Sequence, residues 1–384
     1  MAGKRKDKNG RILKAGESQR QNGAYQYRYK DIRGISRYIY AKTLDELRRK
    51  EADVNRDLLD GIDYSAGEIT LLQLVEMYLS QKQGMRYNTR STYQFVLTVL
   101  KDDAIASRKI KTIKQSDLKR WVIRLHDAEY KRSTIELVKR VLKPAFDMAV
   151  QDDAIRKNPF LFALSEVIPN DTEKRDALTK GQQQALLNFL QTDSYGSRYY
   201  DDIVILLGTG MRISELYGLT QNDIDFRKHR INVEKQLQRT AHGEYYIQKP
   251  KTESGIRKIP MSEDVETAFR RVIASRPAPS IDIIGGYTGF LFLDRNGKPK
   301  VAQHLQAALK HVTKKYNASH EDGLDVTPHT LRHTFCTNMV DAGMQANALQ
   351  YIMGHANITM TLGTYTHIGA ESAQAAFLDT VQGM

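Results

Sequence analysis

The sequence has little that would place the chain outside a cell or within a membrane. Its 384 residues include a single cysteine, Cys336, which excludes an intramolecular disulfide framework and fits a reducing cytosol. The best apolar run, IVILLG at residues 203–208, is far shorter than the roughly 18 apolar residues of a membrane-spanning helix. The first residues, MAGKRKDKNGR, lack the apolar segment of a signal peptide. We therefore expect a cytoplasmic protein.

Acidic side chains are scarce in the first 50 residues, where 15 lysines and arginines accompany only 5 aspartates and glutamates. The rest of the chain carries 43 basic and 40 acidic side chains, so most of the net charge of +13 lies at the N-terminus. Such a concentration of positive charge is typical of a contact with nucleic acid or with an anionic membrane. A tail that only increases solubility is the simpler alternative.

The basic segment has the pattern of a β-hairpin. Two runs rich in aromatic residues, AYQYRYK (24–30) and SRYIYAK (36–42), are joined by DIRGI, a connection that contains glycine. Alternation puts Tyr25, Tyr27 and Tyr29 on the inner face of the first strand, and Ile35, Ile39 and Ala41 on that of the second. The outer face mixes basic, amide and aromatic groups, which suits a sheet that contacts the major groove of DNA. Its candidate DNA-binding residues are Gln26, Arg28, Lys30, Tyr38, Tyr40 and Lys42.

One strand before the hairpin and one helix after it would complete this domain. We expect the first strand near Arg11–Lys14. Thr43 and Glu46 have the spacing of a capping box, which predicts a helix from this point to about Leu59. The sequence thus predicts a small α+β domain, a three-stranded sheet backed by one helix, over residues 1–64.

From Thr70 to about Val150 the pattern is helical. Apolar residues recur at intervals of three and four in LLQLVEMYL, TYQFVLTVL, DLKRWVIRL and TIELVKRVLKPAFDMAV, which predicts an all-α domain over residues 65–168. The candidate N-caps of the later helices are Asn88, Ser116 and Ser133. Two loops, GMRYN and YKRST, are basic, and they supply three further candidate DNA contacts, Arg86, Lys131 and Arg132.

Residues 169–384 mix helices with strands. Helices are expected around Gly181–Leu190 and Tyr199–Leu207 and again towards the C-terminus. Three strands are expected in INVEKQLQ (231–238), EYYIQKPK (244–251) and IRKIPM (256–261).

Two histidines lie four residues apart in HTLRHTFCTNM, residues 329–339. His329 and His333 have the spacing of the zinc ligands in a His-Glu-x-x-His metalloprotease helix. Such a helix needs a carboxylate base after the first histidine, and this position holds Thr330. Arg332 would also place a fixed positive charge beside the metal. The cluster therefore favours an anion over zinc, and His333 is expected to be structural.

Arg332 and His329 are predicted to share the first turn of a helix. Thr327 supplies an N-cap and Pro328 occupies the first helical position, so the two cationic side chains lie three residues apart near free amide donors. Such a turn is suited to binding an anion.

A second arginine has a similar setting in LLGTGMRISEL, residues 206–216. Gly208 and Gly210 are expected to break one helix, and Arg212 begins the next, with Glu215 placed to bind it or a neighbouring cation. Two guanidiniums can bind one phosphate through paired hydrogen bonds and stabilise the charge that develops during its transfer.

A third motif, IMGHANITMTLGTYTH (352–367), contains a candidate nucleophile. Gly354 ends a helix, His355 follows it, and Tyr365 lies ten residues further on. A phenolate can attack phosphorus and leave again more readily than an alkoxide, so a phosphotyrosyl bond can be reopened without ATP. A tyrosine that only packs in the core is the simpler interpretation of one tyrosine among 20.

In chain order, these residues resemble the Arg…His-x-x-Arg…Gly-His…Tyr signature of the tyrosine recombinases, the phage integrase family: Arg212, His329, Arg332, His355 and Tyr365. TGMRISEL, TPHTLRHTF and MGHANITMTLGTYTH extend the resemblance from about residue 175 to the C-terminus. QDDAIRKNPF and the N-terminal layout further resemble integrases of Gram-positive conjugative transposons. Met353 replaces a leucine that is more frequent in the family, a conservative difference.

The resemblance implies three domains: an arm-site DNA-binding domain (1–64), an all-α core-site DNA-binding domain (65–168) and a mixed α/β, mainly helical catalytic domain (169–384). It implies a site-specific recombinase that integrates and excises a mobile element through a 3′-phosphotyrosyl intermediate, without a metal or another cofactor. The family also places a lysine beside the scissile phosphate. Lys251 matches it, although Lys249 and Lys258 are close in sequence.

The resemblance also implies a role for each catalytic side chain. Arg212 and Arg332 would bind the phosphate, and Lys251 would protonate the departing 5′-oxygen. His329 and His355 would hydrogen-bond the phosphate or move the proton of the tyrosine, and Glu215 would orient the cluster.

The implied partners are double-stranded DNA and three further copies of the chain, with an excisionase and a host DNA-bending protein as additional candidates. The protein would then act at the bacterial nucleoid. We hypothesise that residues 371–384, which carry the apolar residues Ala375, Phe377 and Leu378, dock on a neighbouring copy; docking on their own core is the alternative. The alternative functions are a type IB topoisomerase-like nickase and a non-catalytic DNA-binding regulator.

Overall fold

The computed structural model describes residues 5–32, 34–59, 61, 66–171, 176–250, 252–275 and 283–365. The chain forms two compact units, Met1–Glu173 and Lys174–Met384. The predicted division of the first unit at residue 64, like the bounds of the three domains, stays a prediction.

The first unit begins with a three-stranded antiparallel sheet in the order β1-β2-β3. Its elements are β1 (Glu17–Gln19), β2 (Tyr25–Lys30), β3 (Ser36–Ala41) and the following helix α1 (Leu44–Leu59). The sheet and α1 enclose a small core that contains Tyr25, Ala41, Leu44 and Leu47. The predicted small α+β domain, with its tyrosine-rich hairpin and following helix, is therefore confirmed.

The prediction of the first strand was wrong, because β1 begins at Glu17 and not near Arg11. The carboxylate of Asp7 accepts hydrogen bonds from the backbone amides of Asn9 and Arg11, so the chain turns there. Ile12 forms only an isolated bridge with Lys6. A local turn, which a carboxylate stabilises, thus replaced the start of the expected strand.

The inner face of the hairpin follows the predicted alternation at Tyr25, Tyr29 and Ala41, which are buried. Ile35 is an exception and is 50% exposed. It lies before β3, in the turn that Asp31 closes by accepting the Ile35 amide and by donating its own amide to the Ile35 carbonyl. The alternation rule applies only within the strand, and Ile35 is outside it.

Four helices follow in the first unit: α2 (Leu71–Ser80), α3 (Tyr87–Lys101), α4 (Gln115–Asp127) and α5 (Arg132–Gln151). They enclose a core in which Trp121, Phe146 and Phe160 are fully buried. The predicted N-caps were wrong by two residues, since Arg86, Lys114 and Lys131 cap α3, α4 and α5. At α4, for example, the carboxylate of Asp117, the third helical residue, accepts the backbone amide of the N-cap Lys114, which is one of the two contacts of a capping box.

The second unit combines a three-stranded antiparallel sheet, in the order β4-β5-β8, with a separate β6-β7 hairpin and eight helices in the described part. The strands are β4 (Ile224–Asp225), β5 (Arg230–Val233), β6 (Gln236–Arg239), β7 (Tyr245–Gln248) and β8 (Arg257–Pro260). The helices are α6 (Lys180–Thr192), α7 (Tyr200–Thr209), α8 (Ile213–Leu216), α9 (Glu263–Ser275), α10 (Ala302–Asn317), α11 (Pro328–Asp341), α12 (Ala346–Met353) and α13 (Thr359–Tyr365).

Two predictions in this unit need correction. The run 231–238 is not one strand, because β5 ends at Val233 and β6 begins at Gln236 in a different sheet. Lys235 between them is buried in an ion pair with Asp223. Gly208 lies inside α7, and Gly210 alone ends that helix, with a φ of 62°. A Cβ on Gly210 would lie 2.3 Å from the ring of Phe335, so glycine is needed there for packing as well as for conformation.

Candidate active site

Arg212 is the N-cap of α8, directly after the glycine that ends α7. Glu215 binds it twice: its carboxylate accepts the Arg212 amide at 2.9 Å and the guanidinium at 2.8 Å. Glu215 is fully buried, which by itself would raise its pKa. Hydrogen bonds from Arg257 and the charges of Arg257, Arg212 and Arg332 outweigh burial, and the pKa of Glu215 falls to about 2. Glu215 therefore favours its charged form and binds Arg212, the contact that the spacing of the two residues predicted.

Arg332 lies one turn into α11, which begins as predicted with Thr327 as N-cap and Pro328 in the first turn. Its guanidinium is buried and donates to the carbonyls of Gly210 at 2.6 Å and Met353 at 2.5 Å. Burial, followed by the charge of Arg212, lowers the pKa of Arg332 to about 9. Arg332 thus stays charged at neutral pH in a site that would gain from a bound anion.

An open cleft of about 590 Å³ brings these side chains together. We call it the phosphate cleft. His329, which is exposed, lines it together with Arg212 and Arg332. Gln306, Lys310 and Thr313 of α10 also line the cleft, and sequence reasoning did not select these three residues. Their spacing of four and three residues, beside the buried Leu305 and Leu309, was the available signal.

His355 is buried just after Gly354, which ends α12 with a φ of 63°. Its Nδ1 lies 2.9 Å from the Thr361 hydroxyl, which fixes the ring. Burial, followed by the charges of Arg332 and Arg212, lowers the pKa of His355 to about 4. The imidazole is therefore neutral at physiological pH, and the neighbouring guanidiniums oppose its protonation, an effect that a bound phosphate would offset.

Tyr365 ends α13 and is the last residue that the structure describes. Its ring packs against the main core of the unit, and its hydroxyl donates a hydrogen bond to the Met344 carbonyl between α11 and α12. Burial, and to a smaller extent the nearby Cys336, raises the pKa of Tyr365. Tyr365 is not among the residues that line the phosphate cleft.

His333 was expected to be structural, and it does not line the phosphate cleft. It is half-buried one residue after Arg332. Two other predictions concern the catalytic lysine Lys251 and the segment 371–384, which lie outside the described residues. The alternative lysines Lys249 and Lys258 are both exposed, so the choice among the three lysines stays a prediction.

Arg257 is the main residue of the site that sequence reasoning missed. It lies on β8 with a fully buried side chain, and it forms a bidentate ion pair with Glu215 at 2.8 and 3.2 Å. The sequence contains one signal. Arg257 has the same strand phase as the buried Ile259, and a charged residue on an inward position requires a buried partner.

The sheet of the first unit has the predicted outer face of basic, amide and aromatic side chains. Gln26 pairs with Tyr40 and Arg28 with Tyr38, so these side chains lie on one face, and the two tyrosines are 49% and 47% exposed. Arg28, Lys30 and Lys42 are exposed as well. We call these six residues, Gln26, Arg28, Lys30, Tyr38, Tyr40 and Lys42, the sheet face.

The basic loops of the helical bundle contribute less uniformly. Lys131 is exposed at the start of α5, and Arg86 is partly exposed at the start of α3. Arg132 has only 11% of its side chain exposed, and it donates to the carbonyls of Ile168 and Pro169. Its guanidinium thus supports the bundle itself.

Within the described part of the chain, no helix combines the length and apolar character needed to cross a membrane. A cluster of three or more histidine, cysteine, aspartate or glutamate side chains able to bind a metal ion is also absent from the residues that the structure describes.

Comparison with known proteins adds evidence over nearly the whole chain. Residues 176–372 match the phage integrase family, and residues 1–58 match the DNA-binding domain of Tn916 integrase. The transposase from transposon Tn916 of Enterococcus faecalis is 45% identical, over 98% of this chain and 96% of that protein. The transposase from transposon Tn1545 of Streptococcus pneumoniae has the same identity and coverage. The solved structure of the Tn1549 transposon integrase with a circular intermediate DNA is 46% identical, with a TM-score of 0.77 over 81% of this chain and 99% of that one.

Proposed function

Because the chain belongs to the phage integrase family, we propose that it is a site-specific DNA recombinase that integrates and excises a conjugative transposon. One observation carries the proposal at the level of chemistry. Two guanidiniums and a histidine, from helices far apart in sequence, line one open cleft, where they can bind a single phosphodiester.

In the proposed cleavage step, the Tyr365 oxygen attacks the scissile phosphorus and the bond from phosphorus to the 5′-oxygen breaks. The phenol proton passes to a neighbouring base, and His355 is the candidate, because the bound phosphate offsets the arginine charges that otherwise lower its pKa. Lys251 protonates the departing 5′-oxygen. The products are a 3′-phosphotyrosyl bond and a free 5′-hydroxyl, and the same steps in reverse, on a partner duplex, rejoin the strands.

Arg212 and Arg332 neutralise the charge that develops on the non-bridging oxygens during both steps, while His329 donates to the phosphate from the cleft wall. Tyr365 must first exchange its hydrogen bond with the Met344 carbonyl for the phosphate. We infer that the described position of Tyr365 is a resting position, and that DNA and assembly of the protein move it.

The DNA contacts are proposed in two places. The sheet face binds arm sites, and Arg86 and Lys131 at the starts of α3 and α5 bind core-site phosphates, since helix N-termini favour anions. Arg132 supports the bundle and Lys131 contacts the DNA beside it. Four copies of the chain would act on two duplexes in the bacterial nucleoid, with an excisionase and a host DNA-bending protein as additional partners.

The test is a suicide substrate that carries the end of the element, in which the 5′-hydroxyl product diffuses away after cleavage. Wild-type protein should become covalently linked to the DNA. Tyr365→Phe should form no covalent complex and should keep its DNA affinity within about twofold, because only the nucleophilic oxygen is removed. A Tyr365→Phe chain that still became linked to DNA would disprove the assignment.

A further inference from the structure

Three consecutive carbonyls at the end of α12 bind three different arginines. The Ile352 carbonyl accepts from Arg257 at 2.6 Å, and that of Met353 accepts from Arg332 at 2.5 Å. The Gly354 carbonyl lies 3.4 Å from the Arg212 guanidinium. Carbonyls at a helix C-terminus have no partner within the helix and lie at the negative end of its dipole, so cations are favoured there.

The three arginines have different surroundings. Arg212 and Arg332 line the phosphate cleft, but Arg257 does not. The side chain of Arg257 is fully buried, and its guanidinium binds both carboxylate oxygens of Glu215. The same carboxylate binds Arg212. Glu215 therefore bridges a guanidinium that substrate cannot reach and one that substrate can.

The packing around Arg257 leaves little freedom. Its guanidinium also donates to the Gly255 carbonyl at 3.2 Å. A Cβ on Gly354 would lie 2.9 Å from one of its nitrogens. The planar side chain is thus held by the turn before β8 and by the end of α12, and it presents a rigid fork to Glu215.

Resting on the function proposed above, we propose that Arg257 is a positioning residue for strand cleavage. It orients the Glu215 carboxylate and, through it, directs the Arg212 guanidinium into the phosphate cleft. Without the Arg257 guanidinium, the Glu215 carboxylate would be free to rotate towards Arg212 and Arg332. The Arg212 guanidinium would then be displaced and already paired when the phosphate binds. The effect belongs to the chemical step, because bound DNA is held by many other phosphate contacts.

The test compares Arg257→Lys with wild type on the suicide substrate. Lysine keeps the positive charge but cannot form the bidentate pair. We expect affinity for the core site to stay within about twofold, while the single-turnover cleavage rate at saturating DNA falls by about 10²-fold, the effect of displacing a catalytic group by roughly 1 Å. Arg230→Lys is the matched control, since Arg230 lies in the same sheet and pairs with Asp225 outside the site. It should cleave at the wild-type rate.

A double-mutant cycle with Glu215→Gln separates positioning from loss of stability. If Arg257 acts through Glu215, Arg257→Lys should cost little further cleavage in the Glu215→Gln background, whereas a general loss of stability would add to it. Thermal unfolding of each variant gives the folded fraction. Gly354→Ala provides a second variant, because its methyl group would displace the guanidinium without removing it; since a φ of 63° also strains alanine, its cleavage rate is compared per folded molecule. It should lower the cleavage rate with DNA affinity retained.

Cleavage by Arg257→Lys at the wild-type rate, or a loss that adds fully to that of Glu215→Gln, would overturn the inference alone. So would a loss that only matches a lower folded fraction. A wild-type chain that forms no covalent complex would overturn the proposed function and this inference with it. The two failures are therefore distinguishable within one experiment.

Discussion

At the scale of single residues, His355 shows how strongly this site selects protonation states. The ring is buried near the guanidiniums of Arg332, Arg212 and Arg257, so its protonated form would add a fourth cation to the same small volume. Glu215, surrounded by the same arginines, is shifted towards its charged form. The two shifts have one origin, an excess of positive charge that one carboxylate does not balance and that a phosphate would.

This shift makes the stability of the protein depend on pH in a defined direction. Unfolded His355 takes up a proton near its ordinary pKa of about 6.5, whereas the folded ring does so only near pH 4. Between these values the unfolded chain binds more protons, so the free energy of unfolding decreases as pH falls from about 6.5 towards 4.

His355→Asn does not titrate and retains a group that can bond to Thr361. Thermal unfolding near pH 7.5 and near pH 5 should therefore show a smaller loss for His355→Asn than for wild type; an equal loss would contradict the buried, neutral histidine.

At the scale of elements, the features that the sequence predicted are those determined by neighbouring residues. Thr327 and Pro328 begin α11 because an N-cap and a proline act within one turn. Tyr25 and Tyr29 are buried because alternation operates along one strand. The role of Arg257 was not predicted, because its partner Glu215 is 42 residues away in the sequence. A strand pattern indicates only that an inward-facing charge must have a partner. The predicted N-caps were wrong because α3, α4 and α5 each begin at a residue whose side chain makes no capping hydrogen bond, so residue type gave no signal of the helix start.

The α10 wall of the phosphate cleft leads to a prediction about one helix. Lys310 is exposed in that wall, so DNA bound in the cleft should place a phosphate within its reach. Removing one phosphate contact should reduce the slope of log affinity against log salt by about 0.9. We expect Lys310→Ala to show this reduction on core-site DNA. Lys314→Ala is the control, an exposed lysine of the same helix that does not line the cleft, and it should keep the wild-type slope.

A lower affinity of Lys310→Ala with an unchanged salt slope would mean that Lys310 contributes to packing and not to a phosphate contact. Equal reductions for both lysines would mean that the DNA follows a broader surface of α10 than the cleft wall.

At the scale of the whole molecule, the chain separates its positive charge from its chemistry. The first 50 residues carry most of the net charge, whereas the catalytic candidates all lie beyond residue 200. Diffuse charge provides affinity that is sensitive to salt, and the phosphate cleft provides a reaction that depends on geometry. Because the chain forms two compact units, a substitution in the first can weaken DNA binding while strand cleavage by the second is preserved.

Substitutions in the sheet face make this separation testable. Arg28 is exposed at its centre, opposite Tyr38, and donates to the Ser36 hydroxyl, so Arg28→Ala removes a guanidinium without opening the core. In the full-length chain, the loss of one arginine contact to DNA should reduce affinity for element-end DNA that includes arm sites by about 1–3 kcal/mol. Cleavage of a suicide substrate that carries only the core site should stay at the wild-type rate.

Arg56→Ala is the matched control, because Arg56 is exposed on α1, the helix that packs against the inner face of the sheet. If Arg56→Ala weakened arm-site binding as much as Arg28→Ala, the DNA would lie on the helix side, and the assignment of the sheet face would be wrong.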